Sequence, residues 1–154
     1  MKRKPVKVAL LLTLVCLLVL GGCRLNQPDF EDFPEHEAAF ISIKNFLVDY
    51  IATRNDDSRF IVDLNGQFLT VAGEQISTNT LEKSVKAIYE KGFHYIEVTK
   101  DYMIFWEDET GYYGVLWSAS PKDSINQIVK SSRPYIKSRK LSKEWYEVGA
   151  LDSV

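Results

Sequence analysis

The chain has 154 residues, 19 of them basic and 21 acidic, and 45% of its side chains are apolar, enough for one domain around one core. Lys2, Arg3, Lys4 and Lys7 precede every acidic residue, so the part from residue 23 onward holds 15 basic and 21 acidic residues, a formal charge of −6. That balance argues against nucleic acid as a partner, because affinity there comes from neutralising phosphates, and gives the folded part no attraction to anionic lipid.

The basic cluster is followed by an apolar run over residues 8–20 and then by Gly21, Gly22 and Cys23. A basic flank, a short apolar core and small residues make up a secretory signal peptide. Thirteen helical residues reach only about 20 Å, short of the roughly 30 Å of a bilayer core, so a permanent membrane helix is the weaker alternative. Leu20-Gly21-Gly22-Cys23 resembles the lipobox of bacterial lipoproteins. The resemblance implies that a diacylglycerol, palmitate-type anchor is joined to the Cys23 thiol and that a lipoprotein signal peptidase cuts between Gly22 and Cys23. Residues 1–22 are then the signal peptide, and the rest is expected to be lipid-anchored at the extracytoplasmic face of the cell membrane. Two acyl chains suffice for stable attachment. Cys16 leaves with the signal and Cys23 takes the lipid, so no cysteine remains for a disulfide, a thiol nucleophile or a zinc-thiolate site. The low cysteine and Tyr-, Lys- and Ile-rich composition suits a Gram-positive source.

Residues 23–34, polar and with Pro28 and Pro34, read as a flexible tether, and 35–154 as a single domain. Over 35–54, Phe40, Ile43, Leu47, Tyr50 and Ile51 recur at helical spacing, with Pro34 and Glu35 suited to the first turn. His36 near that end reads as solvated. Two β-prone runs, 59–64 and 67–72, flank Asn65-Gly66, the strongest short hairpin signal. A second helix is expected over 79–91, opened by an Asn79/Glu82 capping box, striped by Leu81, Val85 and Ile88, and stopped by Gly92. Strands over 93–99, 102–107 and 112–119, separated by a two-residue turn at 100–101 and a four-residue loop at 108–111, predict a meander. A short helix carrying Ile125, Ile128 and Val129 follows, then a basic linker over 131–140. A last strand over 143–148, with Trp145 and Tyr146, is placed at an edge.

No Gly-rich phosphate loop, Gly-x-Ser-x-Gly elbow or His-Glu-x-x-His stands in the chain. Asp63-x-Asn65-Gly66 lacks the rest of a calcium loop, and the acidic pairs Asp56-Asp57 and Glu107-Asp108-Glu109 read as solvated turns. The one arrangement with catalytic potential sets His94 beside Asp101 or Glu97, without a hydroxyl partner at a telling spacing. No metal or cofactor is expected. The two loop lengths fix a parity. One face of the meander would carry Phe93, Tyr95, Ile104, Trp106, Tyr113, Val115 and Trp117, and the other Ile96, Val98, Met103, Phe105 and Leu116. The aliphatic face suits the helices. The aromatic face is then either covered by the C-terminal segment or open as a recognition surface, with Tyr95, Trp106, Tyr113 and Trp117 as candidate binding residues.

The expected fold is α+β: an N-terminal helix, a β-hairpin, a second helix and an antiparallel three-stranded meander, with the helices on one sheet face, a plan that resembles cystatin-like folds. The expected function is non-enzymatic binding of a protein or envelope component, such as an immunity or assembly role. The alternatives are a carrier of a small apolar ligand and a hydrolase centred on His94.

Overall fold

Apolar residues at helical spacing bury one stripe of the first helix, α1 (Phe33–Arg54): Phe40, Ile43, Leu47 and Ile51 all lie in the core. The computed structural model describes residues 32–54, 59–66, 68–76, 81–108, 111–118, 122–132 and 137–149. The signal segment, Cys23 and all but the end of the tether lie outside the described residues. The helix starts at Phe33 rather than at 35, because Phe33 has apolar partners at hand. Its ring lies 5.4 Å from that of Phe40 and 5.8 Å from that of Trp145. Just before it, Asp32 accepts a hydrogen bond of 2.9 Å from Lys91 Nζ.

Among the described residues eight antiparallel strands follow: β1 (Phe60–Asn65), β2 (Phe68–Val71), β3 (Glu74–Ile76), β4 (Tyr95–Val98), β5 (Tyr102–Trp106), β6 (Tyr113–Ser118), β7 (Lys137–Lys140) and β8 (Trp145–Gly149). They form one sheet in the order β3-β2-β1-β4-β5-β6-β8-β7. Helix α2 (Glu82–Glu90) stands between β3 and β4, and α3 (Lys122–Ser132) between β6 and β7. The mixed helix-and-sheet class is as expected. The arrangement is larger than a hairpin and a separate meander, since β4, β5 and β6 are the middle of one continuous sheet and β1 joins them through β4.

The first sheet face packs on α1 and α2. Val62, Leu64, Leu69, Val71, Ile96, Val98, Met103, Phe105, Val115, Trp117 and Trp145 meet the stripes of both helices in the main core. On the second face Ile104, Trp106, Leu116, Tyr146 and Val148 pack against Ile125 and Val129 of α3. Helices therefore cover both faces, not one. The reason is that β5 and β6 are apolar on both sides, which a sheet tolerates only when both sides are covered.

Local chemistry explains the boundaries. Asn65 pairs with Phe68, so the first hairpin turns at Gly66, with φ +63°, one residue later than expected. Ala72 and Gly73 both take positive φ, as a type I′ turn requires, and send the chain back as β3. Leu81 precedes α2 with no side-chain cap; Asn79 of the expected capping box lies outside the described residues. At its end the amides of Gly92 and Phe93 donate to the carbonyls of Tyr89 and Ile88, a Schellman closure around a glycine at φ +93°. The β4–β5 turn has the expected two residues, as Thr99 donates to the Tyr102 carbonyl at 2.9 Å. The basic stretch expected as linker supplies β7, whose polar side chains suit an edge. The strand expected at an edge, β8, lies inside the sheet between β6 and β7. Among the described residues no helix is long and apolar enough to cross a membrane.

Candidate functional site

The four aromatic residues expected on one face are divided between two. The Glu107 amide donates to the Tyr113 carbonyl at 3.1 Å and Trp106 pairs with Gly114, so the β5–β6 loop has five residues, 108–112, instead of four. One added residue inverts every side chain of β6. Tyr95 and Trp106 are cross-strand neighbours on the second face. Tyr113 and Trp117 share the first face with Phe105 and Met103. There, the Trp117 indole donates to Glu144 at 3.1 Å and carries Lys44 Nζ 4.9 Å from its ring centroid. Tyr113 lies against Gly149, where an added Cβ would come 2.6 Å from its Cδ1.

His94 and Glu97 are likewise divided. The His94 ring meets Tyr89 of α2 edge-on at 4.7 Å, on the first face, whereas Glu97 belongs to the second. Asp101 is exposed in the turn at the other end of β4. These three side chains do not converge.

What does converge on the second face is a set around Glu97. Two rows of side chains cross β1, β4 and β5 there. Asp63, Tyr95 and Trp106 form one row, and Ile61, Glu97 and Ile104 the other. Glu97 is only 2% exposed, and a buried carboxylate needs several donors. It has three. Tyr102 Oη donates to Oε1 at 2.8 Å, Arg59 Nη2 to Oε2 at 2.8 Å, and Trp106 Nε1 to Oε2 at 3.4 Å. The tight β4–β5 turn puts Tyr102 within reach, with Thr99 Oγ1 accepting from the Tyr102 amide at 3.0 Å. Arg59 keeps a 55% exposed side chain while its guanidinium holds the carboxylate. Gly114 seats the tryptophan, for a Cβ there would fall 2.7 Å from Trp106 Cε3.

Above this set lies an open pocket of about 370 Å³. Of the described residues, Tyr95 and Trp106 are its aromatic wall, Ile61 its apolar rim, and Asp63, Glu97 and Asp108 its carboxylates, facing the guanidinium of Arg59. Helix α3 covers the neighbouring part of the face, over β5, β6 and β8, and the pocket opens where that cover ends. Beyond it Ile61 is 48% exposed. Asp108 is fixed by its own turn, accepting from the Gly111 amide at 3.1 Å. Among the described residues no group of three or more His, Cys, Asp or Glu side chains could hold a metal ion. The site can bind and orient a ligand through charge and aromatic contact. The signal in the sequence was Glu97 itself, a charged residue between Ile96 and Val98, sharing a face with Tyr95. No family model, curated protein or solved structure matches the chain.

Proposed function

We propose that this protein is a lipoprotein, anchored through Cys23 at the extracytoplasmic side of the membrane, whose domain binds a partner protein without chemical turnover. The binding surface is the open part of the second sheet face. The observation that carries this reading is the unequal cover of the sheet. Among the described residues, one face is packed by two helices, while the other has α3 over β5, β6 and β8, with Ile61 exposed beside a polar-floored pocket. A pocket that sets an aromatic wall beside a few convergent polar groups is the composition of a recognition site. The carboxylates in the pocket favour this over the carrier of an apolar ligand, and the separation of His94 from Glu97 and Asp101 favours it over a hydrolase.

Two measurements test the proposal. Cys23→Ala should abolish labelling by a palmitate analogue in growing cells and release the chain from membranes; labelling that persists overturns the anchor. A photo-crosslinking residue at position 61 should give a discrete protein adduct in cells, and the same residue at the exposed position 41 of α1 should not. Equal adducts from both positions, or none from 61, overturn the binding surface.

A further inference from the structure

Resting on that reading, we infer that the pocket between Asp63, Tyr95, Trp106 and Asp108 takes a basic side chain, lysine or arginine, from the partner protein. Charge decides first. Among the described residues three carboxylates line the pocket against one guanidinium, and that guanidinium is committed to Glu97 at 2.8 Å. Arg59 and Glu97 offset one another, so an incoming group meets the charge of Asp63, exposed at the rim, with the Asp108 carboxylate beside it. An anion would be repelled, and an apolar group would strip water from two carboxylates with nothing in return.

The wall decides next. Tyr95 and Trp106 lie side by side across β4 and β5, and aromatic faces attract ammonium and guanidinium groups that come within about 6 Å of a ring centroid. A long basic side chain suits both parts of such a site, since its methylenes cover apolar surface while its head reaches the charges. Ile61 at the rim supplies that surface. The floor is prepared before the ligand arrives. Tyr102, Arg59 and Trp106 hold Glu97 fixed, and Gly114 lets the indole lie close to the sheet. About 370 Å³ is at the small end of ligand pockets, the scale of one anchoring side chain and its water. Because the mouth opens onto the exposed sheet face, the head group can enter while the rest of its chain stays on Ile61 and the neighbouring strand.

The test uses the full-length, ¹⁵N-labelled protein in detergent, reading the indole N–H resonance of Trp106, assigned through Trp106→Phe. The probes are Nα-acetyl-arginine amide, Nα-acetyl-lysine amide, the neutral Nα-acetyl-norleucine amide, and choline. The two basic amides should shift the resonance saturably in the millimolar range, and added salt should weaken them as charge is screened. The norleucine amide should give no shift. Asp63→Asn combined with Asp108→Asn should weaken the basic amides about tenfold, with the rest of the spectrum unchanged. Equal shifts from the norleucine amide, or unchanged affinity in the double variant, overturn the inference. Binding of choline alone also overturns it, assigning the pocket to a quaternary ammonium ligand. A crosslink from position 61 with no response to basic amides would leave the binding surface standing and remove only its cationic ligand.

Discussion

A Cβ on residue 114 would stand 2.5 Å from the Phe105 carbonyl oxygen and 2.7 Å from Trp106 Cε3, closer than side chains pack. One methyl group there must displace the backbone of β5, the indole, or both. Gly114→Ala should therefore cost about 1–3 kcal/mol, the scale of core overpacking, read as a lower urea midpoint. It should also shift the Trp106 indole resonance, since the ring loses its seat beside Glu97. A variant of unchanged midpoint and unchanged indole resonance would show that the tryptophan does not rest on that glycine. Glu97 depends on the same placement. Its burial is tolerable because three donors meet two oxygens, and removing any one leaves a hydrogen-bonding group in a dry place. The neighbouring contrast is Gly149, where the displaced ring would be that of Tyr113 on the opposite face.

Ala72 and Gly73 join β2 to β3 with φ of +51° and +82°. An alanine in the left-handed region costs about 1 kcal/mol relative to residues that enter it readily, so Ala72→Asn should raise the urea midpoint by the equivalent of about 0.5–1 kcal/mol. An unchanged or lower midpoint would mean that the turn carries no such strain. That same residue explains why β3 was not legible in the sequence, for Ala-Gly carries none of the Asn or Asp signature of its turn, and Glu74-Gln75-Ile76 has no apolar alternation. The stripe of α1 was legible because a 22-residue helix repeats its pattern several times. So was the Gly92 stop, where a single φ singles out one residue type. Strand β6 was legible as a strand but not in its orientation. Gly114, Val115, Leu116 and Trp117 are all buried, so neither parity violates the apolar pattern. The loop length decides it, and Tyr112 belongs to that loop. Basic β7 was read as linker because an edge strand needs apolar residues least. Strand alternation alone places Glu97 with Tyr95 and opposite His94, but the separation from Tyr113 and Trp117 depended on a loop length that local pattern leaves open.

At the scale of the domain, two carboxyl groups among the described residues respond oppositely to acid. The Lys91 ammonium hydrogen-bonded to Asp32 holds its carboxyl below the usual value of 3.8. Its contribution is present above that value and lost as pH falls through the lowered one. Burial, and then the neighbouring Asp108 charge, raise Glu107 above 4.5. Its contribution has the reverse sign, greatest below 4.5 and lost as pH rises through the raised value. Glu107→Gln should therefore unfold at a higher urea concentration than the parent at neutral pH, by a few tenths of a kcal/mol. The gap should close on acidification and vanish below 4.5. A gap that persists or widens in acid would show that the carboxyl is not raised. The Asp32–Lys91 bridge has a second consequence, mechanical rather than electrostatic. With Phe33 seated against Trp145 one residue later, the chain is gripped twice where α1 begins, by the end of α2 and by an interior strand of the sheet. Tension arriving from an anchored Cys23 would divide between those two holds before reaching the long helix, as a cable clamp takes the pull off the connector behind it.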